Sequence, residues 1–183
     1  FQAVQSRFKQ GAYAAMLRLL LIVPVLLPML GCDADTSVID TKRENAAIEF
    51  LRGMYTGDLS VIDRLAAPDI VVSYPIFEDV FGEPTIAGRS AVRNFSKGFS
   101  ERWVDGEVIV HDVIIRGDTA VVVWGFRAQR AVSDSDDRST SPENAWGGIT
   151  LYRFDEEDRI VFEIGEESTP GPAARVPDAF VGP

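Results

Sequence analysis

The sequence is poor in the residues that build metal and redox sites. It contains one cysteine, Cys32, and one histidine, His111, in 183 residues. A single cysteine cannot form a disulfide within the chain, and a zinc site in a protein usually needs several cysteine or histidine ligands. The sequence therefore predicts a domain without disulfides, thiolate chemistry or zinc, and we expect no metal or cofactor.

The chain also lacks an apolar run long enough to cross a membrane. Residues 19–30 form a run of 12 that contains Pro24 and Pro28, whereas a spanning helix needs about 20 residues. Arg18 precedes the run, and no acidic residue occurs before Asp33. This order of charges is typical of an export signal, which is what we predict here.

The end of the run resembles a bacterial lipobox, which directs lipid attachment to its cysteine and cleavage before it. The four residues are Met29, Leu30, Gly31 and Cys32. The signal peptide would cover residues 16–31, and residues 1–15, which lack an initiator methionine, would be a translation extension. Asp33 resembles an inner-membrane retention signal. We expect a lipid-anchored protein of the bacterial cell envelope, on the periplasmic face of the inner membrane; the alternative is a plain cleaved signal with an incidental cysteine.

Positive charge is scarce in the remaining chain. Residues 32–183 carry 15 basic and 28 acidic side chains, a net charge of −13. Such a body is repelled by nucleic acid and by anionic lipid surfaces, so a nucleic-acid partner is not expected. These 152 residues suffice for one domain with one core.

The first half of this body predicts helices. Residues 32–43 are polar without periodicity and predict a tether, so that ordered structure begins near Glu44. A helix with apolar residues at helical spacing follows and stops at Gly57, and a second helix, capped by Asp58, runs to Leu65. The pattern then predicts a strand over 69–74, a loop over 76–87 and a third helix from Gly88 to about Trp103.

The second half predicts strands, over residues 108–115, 119–132, 145–154 and 159–167. Turn sequences at 116–118 and 155–158 separate them and favour an antiparallel meander. We expect 133–143 to be a mobile hairpin tip and 169–183 a weakly ordered tail. The fold class is therefore α+β, with three helices packed on a strongly curved antiparallel sheet.

This order of elements resembles the SnoaL-like branch of the nuclear transport factor two superfamily, over residues 44–168. The segments that carry the resemblance are Gly57-Asp58-Leu59, Gly88 to Phe95, His111 to Asp118, and Tyr152-Arg153-Phe154-Asp155 leading to Arg159-Ile160-Val161. The resemblance implies a cone-shaped α+β barrel with a pocket at its wide end. It does not imply one function, because this fold hosts enzymes, ligand binders and assembly modules.

Bulky side chains are the candidates to line that pocket. A period of two places Ala120, Val122, Trp124, Phe126 and Ala128 on one inward face, and the resemblance turns Trp146, Gly148, Thr150 and Tyr152 inward as well. Our candidate ligand-binding residues are Tyr74, Phe50, Phe95, Trp103, Trp124, Trp146 and Thr150. The alternative is that these aromatic side chains simply fill the core.

The catalytic residues of the best-known relatives are not retained. By resemblance, the carboxylate base of ketosteroid isomerase falls on Tyr74, its oxyanion-donating tyrosine on Phe50, and its protonated aspartic acid on Thr150. A pocket without that base and donor cannot run the same enolisation. The Arg and two Asp of limonene epoxide hydrolase are also missing, since Phe126 and its apolar neighbours occupy the matching strand.

Four catalytic candidates remain: Tyr74, Glu78, Asp79 and Asp112. Glu78 and Asp79 either swing over the pocket mouth or are solvated loop residues. His111 and Asp112 are adjacent on a strand and point to opposite faces, and the pattern leaves open which faces the pocket. Glu163 is either an outward charge, which we favour, or an inward acid of raised pKa.

Three functions are compatible with these observations. The first, which we favour, is binding of a small, largely apolar molecule in the pocket. The second is a cofactor-free isomerase, cyclase, dehydratase or hydrolase, with Tyr74 and a nearby carboxylate acting. The third is a structural module in which the open sheet face pairs two copies as a homodimer.

Overall fold

Four α-helices and six strands make up the part of the chain that the structure, a computed structural model, describes: residues 33–131 and 143–175. The helices are α1 (Asp33–Thr56), α2 (Leu59–Leu65), α3 (Ile76–Phe81) and α4 (Arg89–Ser100). The strands are β1 (Ala66–Ser73), β2 (Thr85–Ala87), β3 (Trp103–Arg116), β4 (Thr119–Arg130), β5 (Glu143–Phe154) and β6 (Ile160–Ser168). A short 3₁₀ turn, Ala173–Arg175, follows β6.

The strands form one curved sheet in the order β2-β1-β6-β5-β4-β3. All neighbours are antiparallel except β1 and β6, which run parallel. Register shifts interrupt β3 between Val104 and Glu107 and between Val110 and Asp112, and bulges of this kind bend a strand and increase its twist. The predicted fold class, α+β with helices on a strongly curved sheet, is confirmed.

The core lies between the inner face of this sheet and the helices. On β4, Ala120, Val122, Trp124, Phe126 and Ala128 are all buried, as the period of two predicts. Thr150 and Tyr152 on β5 are buried on the same face. Helix α1 covers this face with Ala47, Phe50 and Leu51, which are fully buried.

The end of α1 and the start of α2 follow the predicted signals. Gly57 ends α1 with a positive φ of 78°, a conformation that glycine adopts without strain. Asp58 caps α2, because its side chain accepts a hydrogen bond from the amide of Ser60. These two residues place α2 directly after α1, as expected.

Several boundaries differ from the sequence prediction. Ordered structure begins before Glu44, since α1 already starts at Asp33. Lys42 and Arg43 both pair with Asp158 and so tie this part of the helix to the β5–β6 turn. The predicted loop 76–87 contains α3 and β2. The third predicted helix, here α4, ends at Ser100 rather than near Trp103, which opens β3.

Other predictions lie outside the described residues. These are the extension, the signal peptide and Cys32, most of the hairpin tip, and the last eight residues of the tail. Within the described ranges, no helix combines the length and apolarity needed to span a bilayer.

Candidate functional site

A cavity of about 730 Å³ opens between the end of α1, α3, α4 and the sheet. Aromatic rings dominate its wall: Tyr55, Tyr74, Phe77, Phe81, Phe95, Phe99, Trp103 and Trp146. Five polar residues also line it: Asn94, Arg102, Glu167, Ser168 and Thr169. Its size and its apolar lining with few polar groups are typical of small-molecule sites.

The aromatic wall is built by local sequence spacing. Phe95 and Phe99 lie one helical turn apart on α4 and therefore share a face. Phe77 of α3 packs against Phe95 with ring centroids 4.9 Å apart, and Trp146 packs against Trp103 at 5.1 Å. Edge and tilted contacts of this kind stabilise aromatic pairs, so the wall is largely pre-formed.

Two carboxyl groups lie on the inner face of β6. A period of two places Glu163, Gly165 and Glu167 on this face. Glu163 is 0% exposed, whereas Glu167 opens on the cavity. The ring of Tyr74 lies over Gly165, between the two acids, at a point where any Cβ atom would collide with it.

Glu163 is held in a network of hydroxyl groups. The Tyr74 hydroxyl donates to its Oε1 at 2.6 Å, and the Tyr152 hydroxyl does so at 3.3 Å. The Trp124 indole N–H donates to Thr150 Oγ1 at 2.8 Å, and this oxygen lies 3.2 Å from the Tyr74 hydroxyl. The Tyr74 hydroxyl uses its only hydrogen in the bond to Glu163, so the Thr150 hydroxyl must donate to Tyr74. The hydrogen bonds therefore run in one direction, from Trp124 to Glu163.

The second oxygen of Glu163, Oε2, is buried and has no hydrogen-bond partner among the described residues. Burial raises the pKa of Glu163 to about 7, although the hydrogen bonds from Tyr74 and Tyr152 oppose the rise. Burial and the nearby Glu163 carboxyl also raise the pKa of Tyr74 well above its ordinary value. A buried acid of this kind beside a pocket is a candidate for function.

The prediction that Glu163 faces outward is wrong, and a bulge explains the error. Phe154 pairs with Ile160, but Arg153 pairs with Phe162, so that one residue is skipped. The extra residue shifts the alternation, and both Ile160 and Glu163 are fully buried. Simple alternation would have placed Phe162 in the core instead.

Glu167 is the only acidic residue in the part of the cavity lining that the structure describes. It accepts a hydrogen bond from the Tyr55 hydroxyl. Burial by the surrounding walls raises the pKa of Glu167, while hydrogen bonds from the Tyr55 and Trp146 side chains lower it. Burial, and next the charge of Glu167, raise the pKa of Tyr55. Glu167 therefore presents a partly desolvated carboxyl group to any bound molecule.

The cavity receives four of the seven ligand-binding candidates: Tyr74, Phe95, Trp103 and Trp146. Phe50, Trp124 and Thr150 do not line it; they are fully buried behind the wall and belong to the core. Sequence reasoning missed several lining residues: Tyr55, Phe77, Phe81, Phe99 and Glu167. Phe77 and Phe81 lie in the segment predicted as a loop, whereas the helical spacing of Phe99 from Phe95 is a signal that could have found Phe99.

The carboxylate candidates lie away from the cavity. Glu78 and Asp79 are exposed in the first turn of α3, which turns Phe77 inward instead. Asp112 pairs with Val123, on the outer face of the sheet, and its carboxylate accepts from the amide of Val113. His111 is exposed at the bulge beside it. None of these four residues lines the cavity. The described residues contain no cluster of three potential metal ligands from His, Cys, Asp or Glu.

The geometry defines a class of protein: a cone of curved sheet and helices with an aromatic cavity between them. The chain belongs to the SnoaL-like domain family, whose model matches residues 47–163. This confirms the resemblance to the SnoaL-like branch of the nuclear transport factor two superfamily. No curated protein matches the chain.

Solved structures with the same fold share little sequence with this chain. IdmH of Streptomyces antibioticus, a candidate polyketide cyclase, has a TM-score of 0.59 at 17% identity, and the match covers 72% of this chain and 96% of that protein. A candidate SnoaL-like polyketide cyclase from Jannaschia sp. CCS1 has a TM-score of 0.56 at 14% identity, with coverages of 72% and 88%. The LEH-like epoxide hydrolase of M. tuberculosis has a TM-score of 0.53 at 14% identity, with coverages of 72% and 86%. Such likeness shows the fold alone.

Proposed function

We propose that the protein binds a small, largely apolar molecule in the aromatic cavity. The observation that carries this proposal is the cavity itself, about 730 Å³ in volume and lined mainly by aromatic rings. Rings that already pack on one another lose little freedom when a ligand enters, so the binding free energy is not consumed by ordering the wall. Glu167 and its Tyr55 partner are polar groups that can orient the bound molecule.

A residue that fills the cavity provides the test. Gly98 of α4 lines the cavity, and a Cβ atom added there meets no atom within 4 Å. We expect Gly98→Trp to abolish binding of an uncharged fluorescent probe, N-phenylnaphthylamine, while the circular dichroism spectrum stays unchanged. The matched control is Lys97→Trp, at the neighbouring exposed position, which should bind normally. Normal binding by the Gly98→Trp variant would contradict the proposal.

A second candidate function is proton-transfer catalysis in the same cavity without a cofactor, as in an isomerase, cyclase, dehydratase or hydrolase. The observation that favours it is the pair of inward acids on β6, one in the cavity wall and one behind the lining residue Tyr74. Glu167 would take or give a proton at the substrate. Tyr74, whose hydroxyl donates to Glu163, would hold the second acid behind the cavity wall. Consumption of a substrate, lost in Glu167→Gln and reduced in Tyr74→Phe, would favour this function over binding alone.

The proposed location is the bacterial cell envelope, with a lipid on Cys32 as the anchor. The support is the sequence Met29-Leu30-Gly31-Cys32 after the apolar run. We expect the protein to incorporate radiolabelled palmitate and to sediment with the inner membrane, and we expect Cys32→Ser to abolish the labelling. Labelling that survives in Cys32→Ser would contradict the anchor.

We also propose that two copies pair through the outer face of the sheet. A row of apolar residues crosses four strands there, because Ile114 pairs with Val121, Val121 with Leu151, and Leu151 with Ile164. Ile114 is 58% exposed and Ile164 40%, and contiguous apolar patches often mark contact surfaces. Ile164→Lys should convert a dimer to a monomer in sedimentation experiments; a monomeric unmodified protein would contradict this proposal.

A further inference from the structure

The cavity has one cation in its described lining, Arg102 in the turn between α4 and β3. The main chain fixes its position, because its amide donates to Phe99 O at 3.1 Å and its carbonyl accepts from the amide of Ala131 at 2.8 Å. The guanidinium lies 5.2 Å from the centre of the Phe99 ring. Stacking on an aromatic face is a geometry that arginine favours, and it holds the charged plane at the cavity rim.

The charge of Arg102 is not neutralised within the described part of the chain. Acidic residues outnumber basic residues in this protein. Most of the described basic side chains form an ion pair with a carboxylate. The pairs are Lys42 and Arg43 with Asp158, Arg64 with Glu49, Arg93 with Asp63, Lys97 with Glu101, Arg127 with Glu107, Arg153 with Asp118, and Arg159 with Asp155. No described carboxylate forms an ion pair with Arg102, although the side chain is exposed and free to reach one. A guanidinium left open at the rim of an apolar cavity is therefore available to a ligand.

We propose that Arg102 binds the carboxylate of an amphipathic carboxylic acid whose apolar body fills the aromatic cavity. This inference rests on the proposed binding function and narrows its ligand class. A guanidinium matches a carboxylate through two parallel hydrogen bonds, and such charged bonds are stronger than neutral ones. Because Arg102 is already exposed to water at the rim, pairing does not require burial of an unpaired charge.

The other charged group in the described lining, Glu167, sets the direction of the ligand. Glu167 lies on β6, and two strands separate β6 from β3, which begins next to Arg102. A carboxylate near Glu167 would meet a like charge, whereas one near Arg102 meets an opposite charge. The ligand therefore enters with its acid end at the α4–β3 turn and its apolar end among the rings.

Two matched probes test this inference on the purified protein: decanoic acid and decanol, each displacing N-phenylnaphthylamine at a pH where the acid is ionised. We expect the unmodified protein to bind decanoate about ten times more tightly than decanol. Arg102→Gln should lower the affinity for decanoate about tenfold relative to the affinity for decanol, which removes the preference, and Arg102→Lys should keep part of it. Arg52→Gln is the control, because Arg52 is an exposed residue of α1 outside the cavity lining.

The outcomes separate this inference from the function on which it rests. If decanol binds but decanoate is not preferred, or if the preference survives in Arg102→Gln, Arg102 is not a carboxylate site, while the cavity remains a binding site. If the fluorescent probe binds nowhere in the protein, the binding function and this inference both fail.

Discussion

Glu163 and Glu167 are both glutamates on the inner face of β6, but Glu163 lies in the core and Glu167 lies in the cavity wall. Glu163 is sealed below the cavity by Tyr74 and Tyr152, and one of its oxygens has no partner among the described residues. Glu167 lines the cavity, and one of its carboxylate oxygens accepts a hydrogen bond from the Tyr55 hydroxyl. The comparison shows that the sheet face is divided at Gly165, where the Tyr74 ring closes the floor of the cavity.

The largest difference between the two acids should appear in stability. Glu163→Ala leaves a hole in the core and removes the acceptor of two buried hydroxyl groups, so we expect a loss of about 4 kcal/mol in the free energy of unfolding. Glu167→Ala removes a group that water can reach, and we expect a loss within about 1 kcal/mol. Urea unfolding of both variants near pH 5 measures the difference. Equal losses would mean that Glu163 is not sealed as described.

The sealed acid should also make stability depend on pH. The pKa of Glu163 is raised from 4.5 to about 7 in the folded protein. Its folded state thus holds the proton more tightly than the unfolded state does, and the stabilisation is complete below pH 4.5. It is lost as the pH rises to about 7, by roughly 3 kcal/mol.

The variant Glu163→Gln is the control for this pH dependence, since an amide does not titrate. We expect the difference in unfolding free energy between the unmodified protein and Glu163→Gln to change between pH 4.5 and about 7 and to stay level above that range. A difference that is constant from pH 4 to 8 would show that Glu163 is ionised in the core.

The floor itself can be broken at Gly165. In Gly165→Ala the new methyl group collides with the Tyr74 ring, which is pinned by Thr150, Glu163 and Phe77. Forced repacking of this kind costs about 2 kcal/mol. Gly98→Ala is the matched control, because the methyl group has open space there and helix formation should gain up to about 1 kcal/mol. Thermal unfolding of both variants measures the difference. An unchanged stability of Gly165→Ala would contradict the close contact between Gly165 and the Tyr74 ring.

The sequence predicts the strands and their inward residues better than it predicts the floor of the cavity. The period of two on β4 was sufficient to place Trp124 and Phe126 inside, because that strand pairs without interruption with β5. On β6, one skipped residue near Val161 shifts the alternation and turns Glu163 inward. A bulge depends on how two strands meet across the sheet, and nothing in the composition of β6 alone announces it.

The cavity wall was predictable only in part, for a similar reason. Phe95 and Phe99 follow from helical spacing, but Phe77 and Phe81 lie on a helix of six residues within a segment that reads as a loop. Helices this short are stabilised by tertiary packing rather than by intrinsic propensity. Glu167 and Tyr55 come from opposite ends of the domain, and their contact exists only in the folded chain.

The smallest predicted effect concerns the hydrogen bond that each acid receives. The Tyr55 hydroxyl lowers the pKa of Glu167, and the Tyr74 hydroxyl lowers the pKa of Glu163. Removal of either donor should therefore raise the pKa of its acid, and carbon-detected NMR titration of the glutamate carboxyl signals measures both shifts. We expect the rise at Glu167 in Tyr55→Phe to be the smaller one, because water in the open cavity replaces part of the lost bond. In Tyr74→Phe no water reaches the sealed Glu163, so the full loss is felt. A larger rise in pKa at Glu167 than at Glu163 would contradict this description. It would mean that water reaches Glu163 more easily than it reaches Glu167.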